Sequence, residues 1–514
     1  MDYDFFKTFA DTQQWLALFP EISLCIVGLL LLMLDVLLPS KWNRWVPFTG
    51  GVLVLGILIA QLICGGCISQ QEPKELFGGM IRITAMSQWF RVFFLLASLG
   101  VFWIAGNYLK SRALVRTEFY VMAAIVSAAM MLLTHSNHFV ILFVALETVT
   151  IGLYVLVAYD RNSEYSLEAA LKYLIIGGTN TAILLLGIAL LYGIGGNPAL
   201  AGSSSDPLAF GNLSAFLAEN QGNLVAQMGV LAILASVAFK VGLVPFQIWI
   251  PDVYQGAPTP TTSFLAVSSK AAGIAVLLLL FGENGVFQPM SGFVFPILLV
   301  VTIASMIYGN VTALGYTNLK RLLGMSGVSH AGFIMIGVLV YMQPGQVSWV
   351  SGGILFYLLA YLLASFLVFG VMSVVSIPQD EDQDIYDYSR LSETRPFLAA
   401  VLAVGVGSLA GIPPLVGFAA KFSLFVAAYQ TGMFLLLAMG IISVVISIYY
   451  YFKWIREVYY HNPVIDIAPD GAAENPPVFK KASLANATVL VVLAACILLL
   501  GVYPMNLLSS WSLF

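Results

Sequence analysis

Apolar runs of about twenty residues recur fourteen times along the chain. They lie near 18–38, 46–65, 89–109, 115–133, 138–158, 167–193, 224–250, 260–281, 292–309, 325–342, 350–376, 397–431, 434–454 and 484–506. That length is what a helix needs to cross the hydrocarbon core. In lipid every backbone polar group must be satisfied inside the protein, so only helices or closed barrels span. The runs do not alternate apolar with polar residues as barrel strands do. The sequence therefore reads as an all-α polytopic membrane protein with about 14 transmembrane helices. With 60% hydrophobic and 9% charged residues, it lies far from soluble domains, where roughly 25% are charged. The N-terminal MDYDFFKTFADTQQW lacks the basic region of a cleaved signal, so the first run is expected to stay as a span.

The cations test this layout. Connections one, three, five and so on hold Lys41, Arg44, Lys110, Arg112, Arg116, Arg161, Lys320, Arg321, Arg390, Arg395, Lys453, Arg456, Lys480 and Lys481. The even connections and the N-terminal tail hold Lys74, Arg82, Lys7 and, just inside the third run, Arg91. Lysine and arginine accumulate on the cytoplasmic side, so the odd connections are expected there, with both termini opposite. The polar stretch 377–396 reads as a solvated cytoplasmic loop, with a docking surface as the alternative. The Gly-, Ser- and Asn-rich stretch 194–223 reads as a long non-cytoplasmic loop.

The four cysteines offer little chemistry. Cys25 and Cys496 sit in apolar runs and read as core packing. Cys64 and Cys67 form a single C-x-x-C, half a metal site with no partner cluster. No Gly-rich nucleotide motif is present, and no cysteine set suits an iron–sulfur cluster. The chain is read as carrying no redox centre, metal or nucleotide site of its own.

Charges inside the runs are the informative residues. Setting aside those near run ends, such as Glu21 and Asp35, leaves Glu147, Lys172, Lys240, Lys270 and Lys421, with His330 as a titratable neighbour. An intramembrane charge costs about 2.5–3.5 kcal/mol on insertion scales and marks ion or proton paths. Glu147 reads as the partner of a buried lysine, or else as a neutral hydrogen-bonded acid. Close pairing keeps a lysine protonated; drawing the carboxylate away favours release. Lys172 follows Glu168 by four residues, on one helix face, and reads equally as an interfacial snorkelling pair. Lys270 lies mid-run beside Ser268 and Ser269, which could order water. His330 reads as a relay residue or as a packed one.

Two long runs are broken. In VAFKVGLVPF, Pro245 cannot donate to the Val241 carbonyl, which is expected to free that group beside Lys240. Pro413–Pro414 in LAGIPPLVGF does the same ahead of Lys421. Broken helices at corresponding places in two halves point to a midplane site. Runs four to eight and nine to thirteen each hold five helices, and the fourth of each five is the broken one. Five is odd, so the two repeats are inverted. The expected segments are 1–110 with three flanking helices, 111–285 and 286–458 as the repeats, and 459–514 with a loop and a last helix.

The stretches EAALKYLIIGG, VAFKVGLVPFQIWIPDVYQGAPTPTTSFLAVSSKAA, LKRLLGMSGVSHAGF and LAGIPPLVGFAAKF resemble the antiporter-like proton-pumping subunits of respiratory complex I, and among them the N-type. The similarity covers roughly residues 80–460, and the run Val244–Pro260 is its most specific part. The resemblance implies proton translocation coupled to quinone reduction elsewhere in the complex. It matches Glu147 to a lysine-pairing glutamate, Lys240 to a broken-helix lysine, Lys270 to a connecting lysine, His330 to a relay and Lys421 to a lysine near the exit. It implies NAD, FMN, iron–sulfur clusters and quinone in partner subunits, M-, K-, J- and L-type neighbours, surrounding lipid and no nucleic acid. The implied setting is a bacterial inner membrane, with a thylakoid membrane as the second. A lysine at 421 argues against the M-type, and the chain lacks the L-type's long lateral helix. Rival readings are a subunit of a multisubunit cation/proton antiporter, a scaffold, and a stand-alone solute transporter.

Overall fold

The computed structural model describes residues 15–37, 45–64, 73–112, 114, 117–282, 285–343, 347, 349–375, 380–460 and 482–503. Its helices follow the apolar runs. They are α1 (Phe19–Leu37), α2 (Val46–Cys64), α3 (Ala85–Arg112), α4 (Thr117–Leu133), α5 (Phe139–Val157) and α6 (Glu164–Gly195). Then come α7 (Phe210–Glu219), α8 (Leu224–Val241), α9 (Ile250–Gly256), α10 (Thr259–Phe264), a π-helical turn over Leu265–Ser269, and α11 (Lys270–Phe281). The rest are α12 (Ser291–Leu314), α13 (Leu319–Tyr341), α14 (Val350–Val375), α15 (Pro396–Ala410), α16 (Val416–Gln430), α17 (Phe434–Tyr459) and α18 (Leu484–Val502). One antiparallel hairpin, β1 (Lys74–Leu76) with β2 (Ile81–Ile83), precedes α3.

Polar residues just ahead of several helices start them. Ser163, Asn223, Asn318 and Ser483 accept hydrogen bonds from the first-turn amides of α6, α8, α13 and α18, groups that would otherwise have no partner. Among the described residues, twelve helical stretches are long and apolar enough to cross a membrane, and α4 and α15 are shorter apolar helices. The fourth apolar run forms α4, of 17 residues, and the twelfth is divided between α15 and α16, which is why the stretches meeting that length are fewer than the runs read from the sequence.

The bundle centre is α13, buried along its whole spanning window, with α10–α11 and α14 at 94%; α18 lies outside, at 11%. Small residues let α13 approach its neighbours. A Cβ on Gly309 of α12 would meet the Ser329 backbone nitrogen at 2.7 Å, and one on Gly332 would meet the Met306 nitrogen at 2.9 Å. Close backbone approach of this kind is how helices associate where lipid offers no hydrophobic drive.

The two breaks share one construction. Gly242 ends α8 at φ 81°, and Gly411 ends α15 at φ 86°. At the first, Leu243 N donates to Ala238 O at 2.9 Å and Gly242 N to Phe239 O at 3.2 Å. At the second, Ile412 N donates to Gly407 O and Gly411 N to Ser408 O, both at 3.1 Å. These are left-handed glycine caps. The expectation that Pro245 breaks the helix is corrected: glycine ends each helix, and Pro245 and Pro414 follow three residues later. The left-handed conformation is open to glycine and strained for most other residues.

Two loop expectations also change. The 194–223 stretch contains α7, whose Phe210, Leu213, Phe216 and Leu217 are buried. The 377–396 stretch is solvated only in part where it is described: Asp382, Tyr386, Asp387 and Glu393 are exposed, while Asp380, Gln383, Ile385, Tyr388 and Leu391 are buried. Cys25 is exposed on the bundle surface rather than in the core. The side chains of Cys64 and Cys67 lie outside the described residues.

Candidate functional site

Lys240 lies in the last turn of α8, one residue before its C-terminus, and is buried. Its Nζ donates to Thr150 Oγ1 of α5 in a short contact. Glu147 sits three residues earlier on α5, so both face the same side of that helix. The Glu147 carboxylate accepts from Thr181 Oγ1 of α6 at 2.8 Å. No ion pair joins Glu147 to Lys240 among the described residues. The carboxylate and the lysine therefore occupy neighbouring positions, each held by a threonine.

Lys270 opens α11 directly after the π turn. Its Nζ donates to the Gly327 carbonyl of α13 in a short contact and lies 5.0 Å from the Tyr361 ring centroid of α14. One lysine thus ties the helix following the first break to the two central helices. The neighbouring Ser268 hydroxyl is buried without a protein partner.

His330 follows Gly327 by three residues on α13, on the same face. Its Nδ1 lies 2.7 Å from the Tyr357 hydroxyl and its Nε2 3.3 Å from the Tyr451 hydroxyl. Tyr361, whose ring Lys270 touches, lies 4.9 Å from the imidazole between ring centroids. Lys270 and His330 are therefore joined through Gly327 and Tyr361.

Lys421 lies on α16, beyond the second break. Its Nζ donates back across that break to Leu409 O at 2.9 Å and Ala410 O at 3.0 Å. Those carbonyls end α15, where the helix dipole favours a cation. His330, Tyr357, Tyr361, Ser408 and Lys421 line one cavity, with room for about one water. That size fits a proton carrier and not a quinone ring.

The line Glu147, Lys240, Lys270, His330, Lys421 is thus laid out across the bundle centre, drawn from α5, α8, α11, α13 and α16. Lysine is donor-only while charged, and a backbone carbonyl cannot take its proton. His330 stands with Lys421 on the lining of this cavity.

Lys172 does not join this line. It is 42% exposed and pairs with Glu168 at 2.8 Å and Asp252 of α9 at 2.7 Å. Asp252 also pairs with Arg321 at 2.7 Å. The expectation that Lys172 belongs to the buried set is corrected to a half-exposed cluster of four charges.

Two buried charge clusters went unread in the sequence. Lys320 is fully buried and pairs with Asp380 at 2.6 Å. Asp380 also accepts from Thr259 at the start of α10 and from Gln383. Lys320 donates further to Ala257 O at 2.9 Å. The clasp thus binds the polar stretch to the starts of α10 and α13. On α1, Glu21 takes a two-pronged pair from Arg91, at 2.7 and 2.9 Å, with His135 at 3.2 Å. Neither cluster has a local pattern, since the partners are 60 and 70 residues apart.

Comparison with known proteins places the chain. Residues 136–447 match the family described as "NADH:quinone oxidoreductase/Mrp antiporter, TM". The chain is 46% identical to "NADH-quinone oxidoreductase subunit N 1" of Opitutus terrae, over 100% of both chains. A chain of respiratory complex I from Thermus thermophilus superposes with a TM-score of 0.75 at 27% identity, covering 96% of this chain and 99% of that one. A chain of the Mrp complex from Dietzia superposes at 0.79 with 18% identity, covering 97% and 96%; that likeness shows the fold alone. The chain is a multi-pass membrane protein of a multisubunit assembly, and it belongs to the family of NADH-quinone oxidoreductase subunit N.

Proposed function

We propose that this subunit moves protons along the line Glu147, Lys240, Lys270, His330 and Lys421, driven by quinone reduction in partner subunits. The observation that carries the reading is the placement of Lys270 on Gly327 and Tyr361, between the first break and His330. Three buried lysines with no carboxylate in contact among the described residues can each hold or release a proton at modest cost, which a permanently paired charge cannot. Family membership makes the chain a subunit of a translocating oxidoreductase. On this reading NAD, FMN, iron–sulfur clusters and quinone belong to partner subunits, and M-, K-, J- or L-type subunits are the neighbours.

The matching glycine caps at Gly242 and Gly411 support two inverted repeats, 111–285 and 286–458, flanked by 1–110 and 459–514. The cation bias supports odd connections on the cytoplasmic side of a bacterial inner membrane and both termini opposite. Lys240→Ala tests the reading in membrane vesicles, with assembly followed on native gels. Loss of NADH-driven proton uptake in an assembled complex supports it. Normal uptake would leave Lys240 a structural residue.

A further inference from the structure

The second break is wedged between two glycines. A Cβ on Gly417, in the first turn of α16, would strike the Ser408 carbonyl of α15, whose carbon would lie 2.7 Å away. A Cβ on Gly501, in the last turn of α18, would strike the Pro414 carbonyl and lie 2.7 Å from both Leu415 C and Val416 N. The backbone joining the two half-helices is therefore in close contact on both sides, and packing this dense passes a displacement on. Val416 opens α16, and Lys421 stands five residues further along it. Ser408 and Gly417 also line the Lys421 cavity.

The helix that supplies Gly501 lies on the outside of the bundle, with Val491, Val492, Leu498 and Leu499 exposed. It is held at its other end as well. Asn486 Oδ1 accepts from Trp103 Nε1 of α3 at 3.2 Å, and Asn486 Nδ2 donates to Asn107 Oδ1 of α3 at 3.0 Å. Asn486 and Gly501 are about 22 Å apart along the helix axis. The first break is held by a hydrogen bond instead: Val244 N donates to Ser305 Oγ of α12 at 3.0 Å.

We infer that α18 is a strut for the second break and that Gly501 is a positioning residue acting through Lys421. Anchored on α3 at Asn486, the helix backs the Pro414–Val416 segment, and this sets the reach of Lys421 Nζ to Leu409 O and Ala410 O. A displacement of this outer helix thus arrives at the contacts of a buried lysine. The inference rests on the proton-line reading above, in which Lys421 carries a proton. The plain alternative is that α18 is an outer packing helix and Gly501 merely lets it approach.

Three variants of the intact complex in vesicles decide between these: Gly501→Ala, Asn486→Ala and Lys421→Met. Assembly is followed on native gels, and proton pumping is recorded across pH. Alanine is a better helix former than glycine, so Gly501→Ala acts at the contact and not on α18 itself. The titratable groups facing Lys421 across its cavity are His330 of α13 and Tyr357 and Tyr361 of α14. None of these is on α18, so a displaced pH profile reports the Lys421 site. The proposal expects Gly501→Ala to lower pumping about tenfold per assembled complex. It expects the pH profile to move by about half a unit or more. Asn486→Ala, which adds no atoms, is expected to move the profile likewise with about a twofold loss. An assembled Gly501→Ala complex with wild-type pumping, or with lowered pumping on an unmoved pH profile, overturns the strut. A collapsed Lys421→Met beside that result leaves the proton line standing. Wild-type pumping in Lys421→Met removes Lys421 from the line and overturns the strut with it. If Gly501→Ala fails to assemble, Asn486→Ala decides, and an unmoved pH profile there overturns the proposal.

Discussion

Lys421 Nζ donates to the Ala410 carbonyl at 3.0 Å, eleven residues back and across the break at Gly411. The lysine of one half-helix thus caps the other, and the break and the charge form one device. A cation at a helix C-terminus is favoured there, and the pull weakens as soon as the ammonium loses its proton. Protonation of Lys421 is therefore coupled to the fit of the two half-helices.

Gly411→Ala tests that coupling. A Cβ at this left-handed position would lie 3.0 Å from Lys421 Cδ and 3.2 Å from its Nζ. The strain is about 1–2 kcal/mol, and the lysine is pushed from its carbonyls. Pumping is expected to fall several-fold with assembly retained, measured in vesicles against native-gel content.

Lys320 and Asp380 form the stability-critical pair. Removing one partner of a buried pair costs about 3–5 kcal/mol, while replacing both with apolar residues is often neutral. Lys320→Ala is therefore expected to lower the dissociation temperature of the detergent-solubilised complex more than Lys320→Met with Asp380→Leu.

The same pair sets an acid dependence. Burial alone would raise the Asp380 carboxyl, but the Lys320 ammonium and the hydrogen bonds from Lys320 and Thr259 outweigh it and hold the carboxyl low. A carboxyl held low when folded adds stability above its unfolded value of about 3.9, lost as pH falls through the folded value. The difference in stability between the wild type and the double variant should stay level from neutral pH to about 4, and below it the wild type should lose ground to the variant. Thermal dissociation scanned against pH measures that difference.

Lys172→Ala should do little. Its pairs with Glu168 and Asp252 are half-exposed, and exposed pairs contribute about 0–1 kcal/mol. Assembly should be unchanged on native gels, and pumping should fall far less than in Lys240→Ala.

Much of this architecture is legible in the sequence. The apolar runs mark the helices because lipid leaves few alternatives, and mid-run lysines stand out because each is expensive. The breaks are legible too, but Gly242 in FKVGLVP and Gly411 in LAGIPP carry them, and the prolines drew the eye away from the caps. The amphipathic spacing of Phe210, Leu213 and Leu217 could have revealed α7. Lys320, Asp380, Glu21 and Arg91 could not be read so easily. Each lies near a run end, where a charge is ordinarily solvated, and its partner is brought up only by tertiary packing. The same holds for Thr150, Tyr357 and Tyr451, which look like ordinary helix residues until the bundle closes around Lys240 and His330.

The most direct test of the proton line is Lys270→Met, with electron transfer and proton uptake recorded in the same vesicles. Methionine keeps the stem's volume and removes the charge that joins Gly327 and Tyr361. The account predicts an assembled complex in which proton uptake falls about tenfold or more, with quinone reduction slowed alongside it. An assembled Lys270→Met complex that reduces quinone and takes up protons at wild-type rates would contradict it.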